Sequence, residues 1–204
     1  RDELSLLKLP KILAELRGRL GAAGAQLQIR FPYFLERVAP ASGQKSLLDY
    51  ECLFEGSSFV EDLDLRLQLT APITTLCPCS KAISDYGAHN QRGHITIEVR
   101  GTINPTGDRA LIWIEELIEI AEQSASAPVY PLLKRADERH VTMQAYDNPG
   151  FVEDMVRGAI AHLQKDERVA WCRVQAVNLE SIHNHNAFAC VEWTRDTLGD
   201  VPRP

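Results

Sequence analysis

The stretch that decides how this chain folds is TLCPCSKAISDYGAHNQRGH, from Thr75 to His94. It holds two of the five cysteines, Cys77 and Cys79, and also His89. Alternating apolar residues precede and follow it, so we expect a long loop that joins two antiparallel strands. A loop of this length inside a compact domain is uncommon unless it has a function. Thiols and imidazoles bind metals or act as nucleophile and acid/base near neutral pH, so this loop is the candidate active site.

The apolar pattern on both sides of the loop predicts the other elements. The first predicted element is a helix over residues 2–20 that Pro10 breaks or kinks, with an apolar stripe of Leu4, Leu7, Leu13, Leu16 and Leu20. Strands follow over 26–36 and about 48–54, then a break at Gly56 to Ser58, and strands over about 63–69 and 95–99. A helix over about 114–121 has Glu122 on its wet face. The next helix has Asn148 as N-cap, Pro149 in first position and an apolar stripe of Val152, Met155, Val156, Ala159, Ile160 and Leu163. The last two strands cover about 168–178 and 187–193. Residues 123–147 show no clear period.

This order of elements predicts an α+β protein built from two ββααββ modules in tandem. Residues 57–204 form one complete module in this interpretation, and residues 1–56 are the trailing part of the other. The prediction depends on element order alone, because no internal sequence repeat accompanies it.

Composition excludes several classes of protein. A formal charge of −6 over 204 residues argues against a sequence-independent nucleic-acid binder, which needs a concentrated basic face. No apolar run approaches the ~20 residues of a membrane-spanning helix, and no signal peptide is visible. We expect Cys52, Cys172 and Cys190 to be buried free thiols in strands, which favours a reducing, cytoplasmic location.

Other polar residues have structural as well as functional explanations. Glu180 and His183 lie in a predicted loop between the last two strands, and such loops are usually only solvated. Glu138 has the pattern of a surface charge, and Glu153 falls in the first turn of a helix, where the helix dipole favours a carboxylate. Two interpretations fit the basic residues near these segments equally well: scattered surface charges, or a binding site for an anion. These residues are Lys81, Arg92, Lys134, Arg135 and Arg139.

Three segments, TLCPCSKAISDYGAHNQRGH, EQSASAPVYPLLKRADERHVT and AYDNPGFVED, together resemble the prokaryotic type IB GTP cyclohydrolase I family. The resemblance implies a tunnelling fold, in which tandem ββααββ modules form an antiparallel sheet with helices on one face. It also implies barrels formed by oligomerisation, and a homotetramer with active sites at subunit interfaces. The implied reaction converts GTP and water to formate and 7,8-dihydroneopterin triphosphate, with a divalent ion such as zinc or manganese as cofactor.

The resemblance also implies roles for individual residues. Cys77, His89 and Glu138 fall on positions around the metal, and His183 is a further candidate ligand. The positions implied in catalysis are Cys77, Cys79, His89, Glu180 and His183. Glu153 falls on the carboxylate that anchors the guanine ring. The five basic residues named above become candidates for contacts with the triphosphate.

Two alternatives remain at this level. A related deazapurine nitrile reductase would use the loop cysteine as a covalent nucleophile, although that family needs NADPH and has a different signature after its cysteine. A purine- or metal-binding module without catalysis would hold its metal in a closed site of four protein ligands, whereas a catalytic metal keeps an open position.

Overall fold

Alternation of apolar and polar residues runs through six long segments of this chain, and each segment is a strand of one antiparallel sheet. The computed structural model describes residues 5–59, 62–104, 107 and 109–195. The strands are β1 (Gly24–Val38), β2 (Lys45–Phe59), β3 (Asp62–Leu76), β4 (Asn90–Gly101), the short β5 (Ala127–Pro128), β6 (Val169–Asn178) and β7 (Ala187–Thr194). The α-helices are α1 (Leu9–Leu20), α2 (Pro78–Ile83), α3 (Ile114–Gln123), α4 (Arg135–Asp147) and α5 (Val152–Lys165).

The helices cover one face of the sheet. The long strands follow the spatial order β1-β2-β3-β4-β6-β7, and β5 pairs with the end of β3. Helix α1 packs on β1 and β2, α3 on β3 and β4, and α5 on β6 and β7. This confirms the predicted α+β class and the placement of helices on one side. The division into two modules stays a prediction, since the sheet itself is continuous.

The core lies between the sheet and these helices. Leu67 and Leu69 of β3 and Ile97 of β4 are buried there, as are Leu117 and Ile118 of α3. The predicted apolar stripe of α5 is confirmed as buried over its whole length, through Val152, Met155, Val156, Ala159, Ile160 and Leu163. The period of the apolar residues therefore identified the core faces of β3, β4, α3 and α5.

The predicted break at Gly56 to Ser58 is wrong, because β2 continues to Phe59. A Cβ atom on Gly56 would lie 2.9 Å from Leu13 Cδ1 and 3.0 Å from Leu9 Cδ2. Glycine at this position allows α1 to approach the sheet closely, which is one of the reasons for a glycine inside a strand.

Pro10 does not interrupt the first helix. It lies in the first turn of α1, where its missing N–H costs no helical hydrogen bond. The buried positions of α1 are Leu9 and Leu13, while Leu20 is exposed, so the stripe is narrower than the sequence predicts. Leu4 lies outside the described residues. Among the described helices, none combines the length and the apolar character that would let it span a bilayer.

The region from residue 123 to 152 departs most from expectation. Residues 135–147 form α4, which the sequence did not reveal because its only buried residues are Asp137 and Ala145. Asn148 ends α4 and does not begin α5, which starts at Val152. The predicted cap at Asn148 is therefore wrong. The linker between the two helices is held against the end of β3, because the N–H of Gly150 donates to the Leu76 carbonyl at 3.1 Å.

Glu122 is not on a wet face, as the pattern of α3 predicted. Its carboxylate forms an ion pair with Arg37 and accepts a hydrogen bond from the Tyr50 hydroxyl at 2.8 Å. Burial raises the pKa of Glu122, although the charge of Arg37 opposes that shift. Glu122 therefore links α3 to β1 and β2.

All five cysteines are free thiols. Cys52 and Cys172 are buried as expected, and burial raises the pKa of each to about 12. Cys190 is exposed, so the prediction of burial is wrong for this residue. It lies on β7, which is an edge strand of the described sheet.

Asp137 is a buried carboxylate that accepts hydrogen bonds from four different donor groups. It accepts from the backbone N–H groups of Ala41 and Ser42, each at 2.7 Å, from the Ser42 hydroxyl at 2.6 Å, and from the Lys134 N–H at 2.8 Å. Burial alone would raise the pKa of Asp137, but these donors hold that pKa well below its usual range.

We expect Asp137→Asn to lower the urea midpoint of unfolding at pH 6, because an amide nitrogen would then face N–H donors. A carboxyl group with a lowered folded-state pKa stabilises the protein above its unfolded pKa, and that contribution is lost as the pH falls through the folded-state value. The difference in urea midpoint between parent and variant should therefore have its full size at pH 6 and become smaller below about pH 4. Asp49→Asn, at an exposed position, is the control. Equal midpoints for parent and Asp137→Asn at pH 6 would contradict the role of this carboxylate.

Candidate active site

A cleft of about 460 Å³ opens at the end of the sheet where β3 and β6 finish and β4 and β7 begin. The first residues of α5 close another side of it. Its lining contains six residues that the sequence singled out: Cys77, Cys79, His89, Glu153, Glu180 and His183. These come from three separate segments of the chain, so the fold brings together what the sequence keeps apart.

The cysteine loop is shorter and more ordered than predicted, since only residues 77–89 separate β3 from β4. Cys77 precedes α2, and its Sγ accepts from the Ser80 N–H at 3.5 Å. The Cys77 N–H donates to the His89 carbonyl at 3.1 Å. The Ser80 hydroxyl donates to the Cys77 carbonyl at 3.1 Å and accepts from the His89 N–H at 3.2 Å. These bonds hold the thiol-bearing and imidazole-bearing ends of the loop side by side.

The His89 ring is oriented by a chain of buried polar groups. Its Nδ1 lies 2.9 Å from Gln91 Oε1, and Gln91 Nε2 donates to the Thr75 hydroxyl at 2.8 Å. Because the Gln91 amide gives its N–H to Thr75, its oxygen is left to accept from His89 Nδ1. A proton on Nδ1 leaves the lone pair on Nε2, which is the arrangement that metal-binding histidines usually have.

The loop between β6 and β7 supplies the second set of polar side chains. Glu180 is half-buried in the cleft wall. The rings of His183 and His185 stack with their centres 5.1 Å apart, and both line the cleft. The Leu179 N–H donates to the Arg92 carbonyl at 2.9 Å, which fixes the start of this loop against β4.

Glu153 reaches the cleft from the first turn of α5, and its carboxylate is exposed. The helix begins sharply, because the Asp154 carboxylate accepts from the Phe151 N–H at 3.0 Å. That hydrogen bond from the backbone is the main reason why the pKa of Asp154 is lowered. The start of α5 thus places Glu153 at the edge of the cleft. Its carboxylate has no hydrogen bond or ion pair with another of the described residues.

Three buried polar residues that the sequence analysis missed form the floor of the cleft and its support: Thr75, Gln91 and Asn178. Register explains their place, because Thr75 pairs with Gln91 and Gly93 pairs with Asn178. Each continues the inward-facing row of its strand, which is apolar up to that point. A polar residue at an inward position at a strand end was therefore the available signal.

Glu138 and the predicted phosphate-binding cations are not brought to this cleft in the chain. Glu138 is exposed on the first turn of α4 and is not among the residues that line the cleft. The Lys81 ammonium donates to the Tyr146 carbonyl and lies 4.2 Å from the centre of that ring. The remaining cations are exposed and outside the lining: Arg92, Lys134, Arg135 and Arg139.

The donor set suits a divalent metal only in part. A thiol and a correctly oriented imidazole are the ligand types that zinc prefers. Within the described part of the chain, however, no group of three or more His, Cys, Asp or Glu side chains is close enough to hold a metal ion. Cys77 and His89 therefore fit as two ligands, and the expected third ligand, Glu138, lies elsewhere on the chain.

Solved structures with the same fold include two urate oxidases. The uricase of Arthrobacter globiformis superimposes with a TM-score of 0.56, covers 98% of this chain and 74% of its own, and is 7% identical in sequence. A highly active mutant of the urate oxidase of Bacillus sp. TB-90 gives a TM-score of 0.55, with coverage of 94% of this chain and 72% of its own and 9% identity. At such low identity the likeness concerns the fold alone, and it agrees with the tunnelling-fold class.

Sequence comparison gives much closer relatives. The proteins named GTP cyclohydrolase FolE2 of Pelobacter propionicus and Geobacter sulfurreducens are 49% and 50% identical, over 96% and 94% of this chain and 73% and 71% of theirs. A family model described as type I GTP cyclohydrolase folE2 matches residues 1–189. That description names the FolE2 type and not the subtype IB that the resemblance implied. The chain belongs to the type I GTP cyclohydrolase FolE2 family.

Proposed function

We propose that this chain is a GTP cyclohydrolase that converts GTP and water to formate and 7,8-dihydroneopterin triphosphate, a step of folate synthesis. The observation that supports it most is the cleft, where Cys77, His89, Glu153, Glu180 and His183 come together from separate segments. Membership of the family gives the reaction, and the cleft gives residues suited to its parts. We also propose a cytoplasmic location.

Cys77 and His89 would hold a divalent metal, zinc or manganese or another ion, with Glu138 and His183 as proposed further ligands. When bound, such a metal supplies a water that is deprotonated near neutral pH and can attack C8 of the purine. The chain of Thr75 and Gln91 keeps His89 Nε2 as the acceptor end of the ring, so it holds the imidazole ready for that ligand.

Glu153 would anchor the base. A carboxylate has two acceptor oxygens and can take hydrogen bonds from both N1–H and the 2-amino group of guanine. Its place at the start of α5 gives it a fixed backbone, and its carboxylate faces the cleft. The base would then lie with its imidazole ring toward the cysteine loop.

His183 would move protons during ring opening, by donating one to the departing N7 and accepting one later. The ring of His185 stacks on the ring of His183 and would favour this orientation of it. Glu180 is proposed to orient His183, and Cys79 to assist beside Cys77.

The assembly completes this proposal. We infer a homotetramer whose sheets close into barrels, with active sites at subunit interfaces. Glu138 lies away from the cleft of its own chain. A neighbouring subunit would therefore supply this proposed ligand across the interface. The cations Lys81, Arg92, Lys134, Arg135 and Arg139 are proposed to bind the triphosphate, some of them across that interface.

The first test of function is metal reconstitution. Protein stripped with a chelator should form no pterin from GTP, and pterin fluorescence after oxidation should return when zinc or manganese is restored. Cys77→Ala should stay inactive with every metal, whereas Cys190→Ala, which changes an exposed thiol outside the cleft, should match the parent. Full turnover by Cys77→Ala would show that the loop is not the reaction centre.

Glu153→Ala should weaken GTP binding without changing metal content. Loss of a hydrogen-bonded carboxylate of this kind corresponds to about 10–100-fold in KM. Glu167→Ala, at an exposed position away from the cleft, is the control. An unchanged KM and kcat in Glu153→Ala would remove the anchor from the mechanism.

Gln91→Leu should leave His89 Nδ1 with only the more distant Ser181 hydroxyl, 3.3 Å away, as a partner. It should therefore weaken metal binding by about 10–100-fold, the usual cost of losing a group that orients a ligand. Nitrogen NMR of the metal-free protein should show the proton moving from Nδ1 toward Nε2 in this variant. The exposed Gln164 gives the control Gln164→Leu. If the ring keeps its tautomer and the metal affinity is unchanged, Gln91 does not orient His89.

A further inference from the structure

Asn178 is the buried polar residue in the cleft that the proposed chemistry has not used. It is the last residue of β6, it is only 3% exposed, and it lines the cleft together with Glu153. Its Oδ1 has no hydrogen-bond partner in the described structure. Native proteins seldom leave such an oxygen unsatisfied, because its desolvation is not compensated.

The contrast with Gln91 shows that the missing partner is specific to Asn178. Both residues carry an amide and face the same side of the sheet at strand ends. Gln91 uses its oxygen toward His89 and its nitrogen toward Thr75. The Asn178 oxygen instead lies over Gly93, where a Cβ atom would be 2.8 Å from it. Glycine at position 93 leaves room for the amide without giving it a partner.

The composition of the cleft indicates which part of a nucleotide would reach Asn178. No lysine or arginine is among the described lining residues. A triphosphate needs cations, so the floor of the cleft suits the uncharged base. A neutral amide is a suitable partner for the polar edge of a purine.

We propose that Asn178 recognises the 2-amino group of the guanine base. Glu153, in the proposed function on which this inference rests, takes the ring N1–H and one hydrogen of that amino group. The other amino hydrogen is a donor without a partner, and Asn178 Oδ1 is an acceptor without a partner. The amide turns about its last side-chain bond, which has a broad torsional preference, and its oxygen then faces the cleft.

This role makes Asn178 a specificity-determining residue that the fold keeps at a cost in stability. A buried amide that lacks a partner stabilises nothing in the free protein, so an apolar side chain of similar shape should fold at least as well. The same change should remove part of the preference for guanine over a purine without the amino group. If the amide served only the structure, its replacement would lower the stability and leave the preference for guanine unchanged.

The test compares binding of GTP and inosine triphosphate, whose base lacks the 2-amino group, to the metal-stripped full chain by calorimetry. Asn178→Leu should bind GTP about tenfold more weakly and bind inosine triphosphate as the parent does, while its melting temperature stays equal or rises. Asn178→Ala should show the same narrowing of the GTP preference, and Asn178→Asp, which keeps an acceptor oxygen, should retain that preference. Asn186→Leu, exposed in the same loop region and outside the cleft, is the control.

Equal losses for both nucleotides, or an unchanged preference for GTP in the Leu and Ala variants, would overturn the assignment. A lower melting temperature with unchanged GTP affinity would show that the amide serves the fold. Failure of the parent protein to bind GTP would count against the proposed function. If the parent binds GTP and the Asn178 variants bind it equally well, only the role of Asn178 is overturned.

Discussion

The register between β3, β4 and β6 is the constraint on which the cleft depends. Side chains alternate between the two faces of a strand, so a shift by one residue would turn every inward residue outward. The observed register aligns Thr75 with Gln91 and Gly93 with Asn178, at the ends of rows that are otherwise apolar. The large apolar core beneath α3 and α5 holds this register, and the polar floor of the cleft is placed by it.

Much of the fold was predictable because its main elements bury a regular apolar face. The strands β3, β4 and β6 and the stripes of α3 and α5 follow directly from that period. Helix α4 was not predictable in this way, since it buries only Asp137 and Ala145 and has no apolar stripe. Gly56 was misinterpreted because a sequence does not show that a helix approaches the strand at that point.

The candidate site was predictable where residue type carries the chemistry. Cys77, His89 and His183 were found because thiols and imidazoles are uncommon and reactive, and the fold places them around one cleft. Gln91 and Asn178 were missed because an amide in a strand has no chemical signature of its own. The position of Glu138 relative to the cleft depends on how helices pack, and on any assembly, which no local pattern specifies.

Helix α4 has a mechanical consequence that follows from its two attachments. At its first turn, Asp137 is bound to the turn between β1 and β2, and near its last turn Tyr146 is bound to Lys81 of α2. Thirteen residues of α-helix span about 20 Å. Helix α4 is therefore a rigid spacer between the tip of a hairpin and the cysteine loop, so that a displacement of one end is transmitted to the other.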